Sequence, residues 1–145
     1  AGQSTPNSVI DGYRDTAGGL YATYSGKYKA NYFDGSIAEI INGDATLKVD
    51  FGRDLVSLNI GEVQDKIPST DIPGKFIAKH GSTQIEAYEA QNDYFNGRFY
   101  GTNGKSAGGI FTIMDGPGEM AKAKGVYQVK TTEFLSGPHP DIVSP

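Results

Sequence analysis

Two imidazoles, 17 carboxylates and no thiol are the reactive groups of this 145-residue chain. The absence of cysteine removes disulfides, thiolate metal sites and a cysteine nucleophile together. No serine stands in Gly-x-Ser-x-Gly, and the histidines, His80 and His139, lack zinc-ligand spacing. The aspartates, among them Asp34, Asp44, Asp50, Asp54, Asp65, Asp71 and Asp93, nowhere follow the alternate-oxygen spacing of a calcium loop. Most read as turn formers or outward strand residues. A glycosidase-type carboxylate pair is assembled only in space, and nothing in the chain points to one. These residues argue for a protein that is not an enzyme, with no metal and no required cofactor.

Two groups are candidates for binding instead. His80, beside Gly81 at the end of a strand-like run, could project from a loop as an axial haem ligand. The competing reading makes it a solvated polar residue, and His139, between two prolines, is the weaker candidate of the two. Tyr32, Phe33 and Tyr94 place aromatics beside turns, where they would anchor a protein partner if they lie on exposed loops at one end of the fold. The alternative is that they cap that end against water.

The formal charge of −4 gives no electrostatic reason to expect nucleic acid or an anionic membrane, and Lys and Arg are scattered without forming a stripe. No apolar run approaches the ~20 residues of a spanning helix. The start, Ala1-Gly2-Gln3-Ser4-Thr5-Pro6, looks processed or trimmed, so a signal peptide or lipid anchor could lie outside the given sequence.

The elements that must position these residues are short and alternating. Twenty glycines, nine tyrosines and seven phenylalanines suit strands and turns. Eight strand candidates follow one another: 20–30, 45–51, 55–60, 74–80, 83–90, 95–100, 109–114 and 125–130. Turn chemistry separates them at Asn42-Gly43, Asn96-Gly97, Asn103-Gly104 and Asp115-Gly116-Pro117-Gly118. Short helical turns are expected at Ser36–Ile41 and Glu119–Lys124, and the connection Val63–Ile72, with Pro68, is irregular. Residues 1–18 read as a flexible lead-in, 19–132 as the folded domain and 133–145 as a proline-containing tail.

Eight strands with one apolar face each bury that face and hide two edges by closing. The expected fold is all-β, a single-domain, eight-stranded antiparallel up-and-down barrel, with a two-sheet β-sandwich as the alternative. Tyr24, Phe51, Phe76, Phe99, Phe111 and Tyr127 are the large inward candidates, and a filled interior argues against a lipocalin-like ligand carrier.

The stretch Gly97 to Phe111 carries a family resemblance. Gly97, Phe99-Tyr100-Gly101, Asn103, Gly108-Gly109 and Phe111 resemble a barrel segment of bacterial transferrin-binding protein B. That domain type is shared by Slam-dependent surface lipoproteins and hemophilin-like secreted haem scavengers of Gram-negative bacteria. Softer likeness extends over about residues 20–130, through Tyr24–Tyr28, Leu47–Phe51 with Val56–Ile60, and Gly125-Val126-Tyr127. Familiar members place a handle domain before each barrel, and this chain has no room for one. It would be a bare barrel, either a fragment or a minimal member.

The resemblance implies an exported module at the outer-membrane surface or outside a Gram-negative cell. It would bind a host protein, such as an iron carrier, or haem, or another host factor. The alternative is a structural or translocation barrel supporting a neighbouring domain. Phe99 and Phe111 are expected to fill the barrel rather than form a binding motif.

Overall fold

The computed structural model describes residues 3–33, 37–76, 84–88, 93–114 and 121–142; side chains of 75, 76, 84–88 and 121 are outside the description. Parts of the expected strands 74–80 and 83–90, the turn from Asp115 and the ring of Phe76 fall outside it, and so does His80.

The elements are α1 (Asn7–Asp15), β1 (Leu20–Phe33), β2 (Ala38–Asp50), β3 (Leu55–Ile60), β4 (Thr70–Phe76), β5 (Gln84–Tyr88), β6 (Tyr94–Tyr100), β7 (Ser106–Met114), β8 (Ala121–Lys130) and β9 (Leu135–Ser136). Each strand from β2 to β7 pairs antiparallel with the next, and β1 pairs with both β2 and β8. The eight strands therefore close into an up-and-down barrel, which rules out the sandwich. β9 adds to β1 through Leu20↔Ser136 and Tyr21↔Leu135. We call the end where β1 begins the lower mouth and the end where it finishes the upper mouth.

Period-two alternation explains the core. Ala22, Tyr24, Tyr28, Ala30 and Tyr32 of β1 face inward, as do Leu47 and Val49 of β2 and Val56, Leu58 and Ile60 of β3. Five of the large inward candidates, Tyr24, Phe51, Phe99, Phe111 and Tyr127, are at most 1% exposed. Their rings interlock: Phe99 lies 5.8 Å from Tyr24 and 5.5 Å from Phe51 between centroids, and Tyr28 meets Phe111 edge-on at 5.4 Å.

Three inward tyrosines each donate to a backbone carbonyl: Tyr24 to Gly104 (2.7 Å), Tyr28 to Gly61 (2.8 Å) and Tyr127 to Asn96 (3.0 Å). Burial raises the phenol pKa of Tyr24 and Tyr127, so each keeps the proton it donates. Among the described residues no buried side-chain nitrogen or oxygen lacks a partner.

These tyrosines also correct the turn assignments. Asn42-Gly43 and Asn96-Gly97 lie inside β2 and β6 rather than in turns. A Cβ on Gly43 would sit 2.6 Å from the Tyr28 ring, and one on Gly97 2.2 Å from the Tyr127 hydroxyl. Both glycines supply room for a tyrosine rather than a reversal. Asn103-Gly104 is a true turn, with positive φ at Gly101 (86°) and Gly104 (71°).

The helical expectations at 36–41 and 119–124 are also corrected over their described parts. Ala38–Ile41 belongs to β2 and Ala121–Lys124 to β8, because pairing with Ala30–Phe33 and Thr112–Met114 supplies hydrogen-bond partners that one turn of helix could not match. β4 likewise begins at Thr70, ahead of Pro73, which stands opposite Ser57.

The lead-in differs most from its expectation. Thr5 N–H donates to Phe99 O (2.9 Å) and Gly101 N–H to Gln3 O (2.9 Å), after which α1 lies across the lower mouth. Ile10 is fully buried, and Tyr13 packs on Phe51 and Phe134 at 5.3 and 4.5 Å. A nine-residue helix is marginal alone, so its stability is tertiary and leaves little local signal.

The tail is held just as firmly. His139 is 3% exposed; its Nε2 lies 2.8 Å from Thr23 Oγ1, and its Nδ1 accepts from Asp141 N–H at 3.1 Å. That acceptor role requires the neutral ring. Burial lowers the His139 pKa, with Lys48 and Arg53 acting in the same direction and Asp141 and Asp50 opposing. A lowered imidazole pKa means that the unfolded chain binds the proton first. Stability should therefore be full above about pH 6.5 and fall as pH drops through the depressed folded value. Urea midpoints from pH 8 to 5 should decline more steeply for the wild type than for His139→Gln. Parallel curves would remove the latch from the account.

Candidate functional site

The aromatic residues singled out above do not form one patch. Tyr32, Phe33 and Tyr94 all lie toward the upper mouth, but Tyr32 points inward and is 8% exposed. It sits beneath the Lys66 ammonium, 5.9 Å from the ring centroid, and Lys66 is paired with Glu39 at 3.1 Å. Tyr94 is half-buried and its hydroxyl accepts from Asn96 Nδ2 at 2.9 Å. Phe33 alone is exposed, at 40%.

Phe33 has company that the sequence reading missed. Ile37 and Ile40 are 61% and 60% exposed and stand nearby in the register, Ile37 just before Ala38, the partner of Phe33, and Ile40 two residues after it. Three large apolar side chains thus crowd the place where β1 ends and β2 begins. Two isoleucines in a segment read as a helical turn had concealed the cluster.

Phe99 and Phe111 fill the core, Gly108 and Gly109 pair with β8, and the carbonyls of Asn103 and Gly104 accept from Tyr13 and Tyr24 across the lower mouth.

The scattered cations are gathered by the fold, which corrects the expectation that they form no stripe. Lys27 and Lys29 alternate on β1 and Lys122, Lys124 and Lys130 on β8; the two antiparallel strands bring both sets to the same outer wall. Arg98 joins them from β6, opposite Gly108, and donates to Ser4 Oγ at 3.1 Å. Among the described residues at outward positions of β2, β1, β8, β7 and β6, Asp44 is the one carboxylate not sealed under the tail, and it pairs with Lys27. A chain of net charge −4 therefore carries a basic wall.

The wall is also concave. A groove of about 870 Å³ runs over β1, β8 and β7, with Ile110 and Val126 at its floor and Lys27, Lys29, Lys130 and Tyr100 around it. Ile110 and Val126 are register partners, 47% and 53% exposed. Gly108, in the outward register, lets β7 and β8 approach closely, since a Cβ there would sit 2.9 Å from the Tyr127 carbonyl oxygen.

No family model matches the chain, and no curated protein matches it. Solved structures do. A mutant form of transferrin binding protein B from Haemophilus parasuis Hp5 aligns with a TM-score of 0.64 at 16% identity, over 88% of this chain and 28% of that one. The fold is that of the transferrin-binding protein B barrel. The isotype 1 transferrin binding protein B from serogroup B Neisseria meningitidis gives 0.63 at 20% identity, over 90% and 27%. The haemoglobin receptor HpuA from Kingella denitrificans gives 0.59 at 14%, over 99% of this chain and 54% of the receptor. HpuA from the same organism also aligns in its complex with human haemoglobin. This transferrin-binding-protein-B-type barrel thus spans under a third of those two transferrin binding proteins and about half of HpuA.

Proposed function

We propose that the chain is a non-enzymatic binding module, exported to the surface of a Gram-negative cell or released from it, that engages a host iron-carrying or haem-carrying protein. The observation that carries this reading is the exposed apolar cluster of Phe33, Ile37 and Ile40 on a barrel whose core is packed with aromatic rings. Apolar side chains left in water where two strands meet cost solubility unless a partner covers them. Aromatic and aliphatic anchors of this kind carry most of the energy in protein interfaces. The likeness to transferrin binding protein B and to HpuA supports the choice of partner class.

The test immobilises the chain and passes human transferrin and haemoglobin over it. Binding to one of them, weakened about thirtyfold or more by Phe33→Asp with Ile40→Asp, is the expected result. No binding to either, or binding indifferent to both substitutions, removes the proposal. Free haem belongs in the same experiment. Ligation through His80 would shift the Soret band, and His80→Ala would abolish the shift. The second reading, a barrel that supports neighbouring domains, is favoured by the small share that this chain spans of the Haemophilus parasuis and Neisseria meningitidis proteins.

A further inference from the structure

The basic outer groove is distinct from the apolar cluster at the upper mouth and calls for its own occupant. We infer that it takes an acidic polypeptide segment in which carboxylates alternate with apolar side chains. This inference goes beyond the proposed function and does not depend on which host protein is bound.

Charge comes first. Lys29, Lys124 and Lys130 have no carboxylate partner among the described residues, and Asp44 pairs with Lys27. Cations aligned on neighbouring strands repel one another, and an anionic partner relieves that repulsion. The floor comes second. Ile110 of β7 and Val126 of β8 are half-exposed register partners beside the lysines of β1 and β8, so a ligand filling the groove must offer them apolar contact. A polypeptide supplies carboxylates and methyl groups at a spacing of about 3.4 Å per residue when extended.

Shape decides between polyanions. A groove of about 870 Å³ falls in the range of ligand clefts and suits an inserted chain rather than a flat sheet of lipid headgroups. Single-stranded nucleic acid wants several aromatic platforms; of the three tyrosines along the groove, Tyr28 and Tyr127 are buried, at 2% and 1% exposure, which leaves the Tyr100 ring to stack a base. The wall's guanidinium, Arg98, is already engaged with Ser4.

The experiment uses the full chain and a fluorescent ten-residue peptide of alternating glutamate and leucine, read by anisotropy. Binding should weaken about tenfold or more in Lys27→Glu/Lys29→Glu/Lys130→Glu and again in 0.5 M salt. Val126→Ser should weaken it several-fold, while Lys66→Gln, at the upper mouth, should leave it unchanged. Lys130→Gln alone serves if the triple variant fails to fold. Phosphatidylserine vesicles and a thymidine oligonucleotide are run beside the peptide. Equal or tighter binding to either overturns the inference, as does peptide binding indifferent to Val126→Ser. Loss of transferrin or haemoglobin binding with intact peptide binding would count against the proposed function alone.

Discussion

Asp50→Ala is expected to destabilise the barrel by about 3–5 kcal/mol, the cost of breaking a buried ion pair from one side. The Asp50 side chain is 1% exposed and sits at the end of β2. Burial pushes its pKa up, but the His139 N–H at 2.8 Å, the Arg53 Nε at 2.6 Å and the Arg53 N–H at 2.9 Å reverse that and hold it below the ordinary carboxylate value. Removing the carboxylate leaves those donors without their acceptor. Arg53 would still reach the His139 and Ile142 carbonyls at 3.2 and 2.8 Å, with its charge uncompensated. The tail should then become the first site of proteolysis. Urea denaturation with mass analysis of a brief protease digest checks both effects. A loss below 1 kcal/mol with an uncleaved tail would show that the knot is ornamental.

Phe99→Ala should cost a similar ~3–5 kcal/mol. Phe99 is fully buried between Tyr24 and Phe51, and its carbonyl accepts from Thr5. Removing the ring opens a void that a closed barrel cannot collapse, since its strands are paired on both sides. The neighbouring Tyr100, half-buried and outward, should cost far less on the same change. Denaturation midpoints of the two variants compare them directly. Equal losses would mean that the ring does not fill a closed core.

Much of this arrangement was legible in the sequence because strand alternation is a local signal. Leu47, Val49 and Phe51 on one side and Thr46 and Lys48 on the other announce their own faces. The inward aromatics could be named for the same reason. What was not legible depends on partners far along the chain. Gly43 and Gly97 resemble turn residues until Tyr28 and Tyr127 are seen to need the space. α1 carries too few apolar positions to announce a plug, and Ile10 acquires its meaning only against Gly104 and Thr5. The basic wall was hidden because Lys27 and Lys124 are far apart in sequence, and their adjacency follows from register alone. Of the candidate site, Phe33 was found and Ile37 and Ile40 were missed. His80 lies outside the described residues.

The four residues joining β2 to β3 hold both α1 and the tail. Asp54, held at φ 57°, accepts from Arg14 of α1 at 2.7 Å, and Arg53 beside it grips the tail. A mechanical load pulling residue 3 away from residue 142 would not act first on the strand ladders around the barrel. It would be borne by the bonds of Gln3 and Thr5 to the end of β6, and then by a few polar contacts on one side of the lower mouth, in an unzipping geometry. The helix and tail should therefore peel away at low force while the eight strands remain closed, a two-step extension within a molecule that otherwise unfolds as one unit.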